Sequence, residues 1–374
     1  MTPAPSAEAN KLIGLEGLRF LTAFAILVFH YRHFAFVGDK PVDLVPERLP
    51  LYGLLRVFHD SGAFGVWVFW CISGFIFFWK YRDAIADQAI GGWKFFTLRF
   101  SRLYPLHLVT LLLVALLQSV YLNQRGGFFV YQANDLQHFL AQLFMASEWG
   151  LTPGYGFDGP IWSVSVEVLV YLLFFLMLRA TRSWLLNVVI VVACLGAPSM
   201  NAGAQLTNCL ALFYAGGLAA MARRAADASR FRTTIDACAW LAATVILPLV
   251  VYAMRDQLDR IDLPLFVGAT PILLFCLSRE IKLPRLAQST IAAAGNMTYS
   301  SYLLHFPLQL AIVLCFAAAG RPVPIYSGAL FAVYLLTVLL LSYVTFRFFE
   351  APAQDFIRNA FRPAREPLRR ASSA

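Results

Sequence analysis

The sequence predicts an all-α polytopic membrane bundle of about ten transmembrane helices with both termini cytoplasmic. Three observations predict it. Of 374 residues, 59% are hydrophobic and 14% charged, against about 25% charged in soluble domains; that is too little polar surface to cover a water-soluble fold of this size. The apolar residues gather into ten stretches near spanning length: 12–36, 62–80, 103–122, 161–178, 184–202, 205–222, 235–254, 263–278, 289–319 and 325–348. With the N-terminus inside, their alternation leaves 21 of the 30 Lys and Arg on the cytoplasmic side, 8 outside, and Arg19 within the membrane. An odd number of spans would scramble that split.

In chain order, residues 1–11 form a short cytoplasmic segment, 12–352 the transmembrane unit and 353–374 a basic cytoplasmic tail. The stretches 62–80 and 263–278 are short and read as tilted or partly re-entrant. Between the third and fourth stretches lies the longest outer loop, 123–160. Within it, Asp135 to Ser147 is helix-like but too short to span, which suits the membrane interface. The following EWGLTPGYGFDGPIW mixes Gly and Pro with Trp149, Tyr155, Phe157 and Trp162, a composition that fits either a sugar-binding surface or an interfacial aromatic belt. No fixed repeat is visible, which disfavours inverted-repeat transporters.

The formal charge of +9 is dispersed over short loops and not gathered on one domain, so nucleic acid is not an expected partner; the lipid bilayer is. Six cysteines lie singly, without C-x-x-C spacing, and read as packing residues. The first apolar run holds Arg19 and lacks a small-residue cleavage site, so no secretory signal is expected.

Ionisable groups inside spans are costly and mark function by default. In the first stretch, Arg19 and His30 are eleven residues apart, about 20° away from a common helical direction and roughly 16 Å apart in rise. One reading has Arg19 snorkelling and His30 capping the outer end; the other has both on one functional stripe. In the fourth, Glu167 lies about one and a half turns in from the outer side, with Ser163 and Tyr171 on its face. This depth resembles that of His30, and a carboxylate beside an imidazole fixes its tautomer; a structural pairing with an arginine is the alternative. In the ninth, Thr298, Tyr302, His305 and Gln309 recur at spacings of four, three and four, giving one polar face that suits a water-filled path or a structural hydrogen-bond ladder. Pro307 is expected to kink this helix.

On the cytoplasmic side, Arg99 and Arg102 stand three residues apart in FTLRFSRLYP, followed by Tyr104 and Pro105. Such a pair at a helix start can clamp phosphates, and an ordinary positive-inside flank has the same look. Phosphate loops of the G-x-x-x-x-G-K-[ST] and G-x-G-x-x-G types are absent, as are metal-ligand spacings, and none of the six His has Asp five positions on. No tightly bound cofactor and no metal are expected.

These residues together resemble the acyltransferase-3 family of membrane O-acyltransferases, whose members include bacterial enzymes acetylating O-antigen, exopolysaccharide and Nod-factor sugars. The likeness runs from Gly14 to about Pro352. It rests on the Arg-x10-His pair (Arg19, His30), Phe69-Trp-Cys-Ile-Ser73-Gly74-Phe75, the R-x-x-R-[IL]-x-P segment (Arg99, Arg102, Pro105) and Trp162, Ser163 and Glu167. Tyr299, Tyr302 and His305 match more loosely, and Phe348, Glu350 and Pro352 close the set. The resemblance implies a multi-pass protein of the bacterial inner membrane that uses acyl-CoA, chiefly acetyl-CoA, as co-substrate and a saccharide or similar hydroxyl as acceptor. Charge and position then divide the roles: Arg99, Arg102 and Tyr104 on the donor, Arg19 holding its arm or polarising the thioester carbonyl, His30 as general base oriented by Glu167, and Ser73, Tyr302 and His305 lining the path. The extracytoplasmic esterase-like domain of some members is expected to be absent. A transporter or flippase of a lipid-linked glycan, and a non-catalytic scaffold, are the rival readings.

Overall fold

The structure, a computed structural model, describes residues 12–197, 204–255 and 258–361; the expected N-terminal segment, the end of the 184–202 stretch and the tail beyond 361 lie outside these residues. Fifteen α-helices occur among the described residues: α1 (Ile13–His30), α2 (Tyr52–Ser61), α3 (Gly65–Ala86), α4 (Gly92–Arg125), α5 (Leu136–Leu143), α6 (Ile161–Ala180), α7 (Trp184–Leu195), α8 (Ala204–Asp227), α9 (Arg232–Leu241), α10 (Leu247–Ala253), α11 (Leu258–Leu277), α12 (Arg285–Asn296), α13 (Thr298–Ala318), α14 (Gly328–Thr345) and α15 (Ala351–Ala360). A two-residue hairpin after α1, pairing Phe36 with Pro41 and Val37 with Lys40, is the only sheet described. Eight helical segments are long and apolar enough to cross a membrane, and Trp184–Leu195 and Asp262–Leu277 are shorter apolar helices. The chain is an all-α polytopic membrane protein.

These ten segments coincide with the ten apolar stretches, with instructive differences. The third stretch is the core of a 34-residue helix, so Arg99 and Arg102 lie two turns inside α4 and not at a helix start, and Pro105 interrupts nothing. The stretch 289–319 is two helices, α12 and α13, parted at Met297. The seventh bends through a π-helical turn at Ala242–Ile246. The helix expected at Asp135–Ser147 is the eight-residue α5, capped by Asp135, whose side chain accepts from the His138 amide at 2.9 Å.

Sequence periodicity sets which faces pack. Along α6, Val170, Phe174 and Leu178 are buried while Leu172 and Leu176 are about half exposed, so one stripe joins the core and the other faces outward. The core centres on α3, α6 and α8, with Trp70, Phe77, Phe78, Phe174 and Phe213 fully enclosed. There α3 and α8 touch backbone to backbone: a Cβ on Gly74 would lie 1.8 Å from the Phe213 carbonyl oxygen, and one on Gly216 2.0 Å from that of Cys71. At one end, buried Arg223 of α8 bonds Asp236 of α9 and Asp227, tying these helices together.

Helices α1 and α13 run parallel. Arg19 Nη2 donates to Thr298 Oγ1 at 3.2 Å and Gln309 Nε2 to the His30 carbonyl at 2.7 Å; both bonds join residues 279 apart, so register is kept over eleven residues. Seven apolar segments lie between the two helices, making α13 the ninth. Had one of the two short apolar helices failed to cross, α13 would run against α1.

Candidate active site

The stripes on α1 and α13 face one another. Thr298, His305 and Gln309 are all fully or nearly buried, and each meets the α1 side: Thr298 bonds Arg19, His305 stacks on His30 with ring centroids 4.9 Å apart, and Gln309 holds both the His30 carbonyl and His33 Nδ1. Arg19 is paired with Glu16 at 2.9 Å, and Glu16 has room because Gly295 lies against it; a Cβ there would sit 2.0 Å from the carboxylate.

Beside this seam lies a cavity of about 460 Å³. One end is basic, walled by Lys80 and Tyr81 of α3, Arg99 and Arg102 of α4, and Arg358 of α15. Its inner end holds Arg19, Ser73, Ser163, Glu167, Tyr171 and Tyr302 under Val66, Phe69, Trp70 and Val164. The Glu167 carboxyl faces Ser73 and Tyr171, whose hydroxyls are 3.4 Å apart, and its Oε1 has no hydrogen-bond partner among the described residues.

The inner end is closed by Tyr302. Its hydroxyl lies 2.7 Å from Ser163 Oγ and donates to the Pro160 carbonyl at 2.7 Å. Beyond Tyr302, one turn along α13, sits a histidine cluster outside the cavity. His30 contacts His305 and, at 4.8 Å, His33, a residue the sequence reading did not single out. His305 Nδ1 is 2.7 Å from the Tyr302 carbonyl, which only accepts, so Nδ1 carries the proton and the bare Nε2 is left without a partner.

Of the nine expected site residues, six lie on the cavity: Arg19, Ser73, Arg99, Arg102, Glu167 and Tyr302. Three expectations are corrected. His305 does not line the cavity: it stands one turn beyond Tyr302, against the His30 ring. Glu167 does not orient His30: it faces Ser73 and Tyr171 in the cavity, while the His30 ring lies against the Phe29, His33 and His305 rings and its Nδ1 has no hydrogen-bond partner among the described residues. Equal depth in the membrane placed the two groups on one level, but they point to different sides of Tyr302. Tyr104 is not on the cavity; it stacks on Phe100 at 4.5 Å, because two residues past Arg102 is about 200° around α4.

Asp158, also unforeseen, is fully buried in the 144–160 loop near Thr110, with neither carboxylate oxygen in a well-formed hydrogen bond among the described residues and its amide held by Gln142 Oε1 at 3.2 Å. Burial pushes its pKa up to about 7, opposed only by Thr110. A carboxyl whose pKa is raised on folding costs stability above its unfolded pKa, and the cost grows as pH climbs toward 7. Asp158→Asn is therefore expected to raise the melting temperature at pH 8 and to change it little at pH 4; equal shifts at both would show that the charge is not the cause. The signal was present in the sequence as an acid set among glycine and proline, in Gly156-Phe157-Asp158-Gly159-Pro160.

A family model described as an acyltransferase domain matches residues 12–347, nearly the whole chain. The chain belongs to the acyltransferase-3 family. Within this member, the family motifs quoted above sort into parts: Arg99 and Ser73 on cavity walls, Gly74 in the α3–α8 contact, and Glu350 bonded to Arg102 and Ser300. The chain is also 31% identical over 175 residues to the acyltransferase MdmB of Streptomyces mycarofaciens, a stretch covering 46% of this chain. It spans 40% of the length of that relative. No solved structure matches the chain significantly. Among the described residues, no group of three or more His, Cys, Asp or Glu is placed to hold a metal ion.

Proposed function

We propose that this acyltransferase-3 member is a bacterial inner-membrane O-acyltransferase that moves an acyl group, chiefly acetyl, from acyl-CoA to a hydroxyl of a cell-surface or exported saccharide. The observation that carries the reading is the cavity's lining: four cations at one end, hydroxyls and Glu167 at the other, and paired histidines one residue layer beyond Tyr302. A phosphorylated carrier with a thioester arm has that charge distribution. The basic end faces the cytoplasm in this reading, where acyl-CoA resides. Reporter fusions after residue 361 and within 123–160 are expected to report opposite sides; matching sides would overturn the orientation.

The chemistry follows from the groups present. Arg19, held by Glu16 and Thr298 on the cavity wall and roughly 16 Å in rise from His30, holds the donor's arm by charge and hydrogen bonding. His30 takes the proton of the acceptor hydroxyl as its oxygen attacks the carbonyl carbon. The C–S bond then breaks, and the departing thiolate recovers a proton from the imidazolium. For donor and histidine to meet, the Tyr302 ring turns away from Ser163 and joins the cavity to the histidine cluster. Glu167, with Ser73 and Tyr171, lines the arm's path and does not serve the base.

The deciding experiment is transfer from labelled acyl-CoA to a saccharide acceptor by the purified chain in detergent. Covalent product with no membrane to cross supports acyl transfer. Movement of a lipid-linked glycan in vesicles without any covalent product would establish the flippase reading instead.

A further inference from the structure

Four cations wall the basic end of the cavity, and they differ in what already neutralises them. Arg102 Nη1 is 2.5 Å from Glu350 Oε1. Glu350 is 2% exposed and also accepts from Ser300 Oγ at 2.6 Å and Gln354 Nε2 at 3.2 Å, so Arg102 is half of a buried pair that ties α4 to α13 and the start of α15. Lys80 has partners of its own.

Arg99 and Arg358 have no carboxylate on them among the described residues. Arg99 Nη2 donates to the Tyr81 hydroxyl at 2.7 Å, and its guanidinium lies over the Phe77 and Tyr81 rings at 4.9 and 5.1 Å. Its Nε is buried without a partner. Arg358 donates from Nε to Ser101 Oγ at 3.1 Å and from Nη2 to Gln354 Oε1 at 2.9 Å, both neutral oxygens. The charges that reach Arg358 are Arg99 and Arg102, with Asp355 on its own helix making no ion pair with it. Two un-neutralised guanidiniums are thus aimed by neutral partners into one cavity wall. Such an arrangement holds like charges together at a cost that a bound anion removes, and planar guanidinium forks match phosphate oxygens.

We infer that the phosphates of the donor are received by Arg99 together with Arg358, so that the C-terminal helix α15 is part of the donor site, while Arg102 acts through Glu350 as a strut between helices. Arg358 lies beyond the residues the family model covers and inside the stretch the sequence marks only as a basic tail. The inference rests on the acyl-CoA reading above.

The test is calorimetric binding of CoA, and of pantetheine as the phosphate-free arm, to the full chain purified in detergent. Arg358→Ala and Arg99→Ala are each expected to weaken CoA binding by roughly ten- to a hundred-fold while leaving pantetheine binding and the rate at saturating donor near wild type. Arg358→Lys is expected to recover part of the loss. Arg102→Met is expected to lose folded protein by stranding the Glu350 charge, and Arg102→Met with Glu350→Gln to restore folding and bind CoA within a few-fold of wild type. CoA affinity unchanged in Arg358→Ala overturns the inference, as does equal loss for CoA and pantetheine, which would mean that α15 only props the wall. A wild-type chain that binds no CoA overturns the donor reading, and the inference with it.

Discussion

Replacing His30 by Ala is expected to lower turnover by about 10²–10⁴ while the protein stays folded and membrane-inserted, the range that loss of a general base produces. Its partner in this effect is His305, not Glu167. The two rings stack at 4.9 Å, and His305 presents an unpartnered Nε2 fixed by the Tyr302 carbonyl, so the pair acts as one unit. His30→Ala with His305→Ala should therefore lose little beyond the worse single variant, as groups of one unit are non-additive. Glu167→Gln acts on the cavity side of Tyr302, so its loss should multiply with that of His30→Ala. Turnover at matched protein levels decides the matter: multiplicative losses for the two histidines would show that they do not act as one unit, and wild-type turnover in His30→Ala would remove His30 from the mechanism.

Gly74→Ala is expected to cost the fold itself. The added methyl would stand 1.8 Å from the Phe213 carbonyl oxygen, a backbone atom that cannot swing aside, so α3 and α8 must separate and their packing along the core is lost. Overpacking of this kind costs about 3 kcal/mol or more, a large part of ordinary stability. Gly17→Ala is the control, because its methyl would meet only Ile291 Cγ2 at an ordinary 3.8 Å. Monodispersity on size exclusion and melting temperature should fall sharply for the first and hold for the second. A Gly74→Ala protein as stable as Gly17→Ala would show that the two helices can part freely.

Much of the bundle was legible because apolar length and charge asymmetry are local properties. Ten apolar stretches became ten apolar helical segments, and the periodic polar faces of α1 and α13 emerged as one buried seam. Boundaries failed where local signals were overridden or passed over: α4 runs on through the amphipathic, basic turns before residue 103, since an arginine-bearing turn at a membrane edge remains helical, and α12 breaks from α13 at Met297, right after the helix-stop pair Gly295-Asn296 inside an otherwise continuous stretch. Of the site, the residues named by spacing on one helix were found together on the cavity or its histidine cluster. Those assigned by comparing depth on different helices were not, as Glu167 and His30 show.

The sequence by itself determined that this chain is a helical membrane bundle, which helices carry polar stripes, and which residues fall on each stripe, because a helix fixes the direction of every side chain relative to its neighbours on the same helix. It could not determine which stripe meets which. The parallel register of α1 with α13, the wall that Tyr302 and Ser163 build between cavity and histidines, and the capture of Arg102 by Glu350 248 residues away depend on the rotation and crossing of helices about one another. Those are set by packing, down to the few ångströms left by Gly74 and Gly216, and packing is a property of the assembled bundle, not of any one segment.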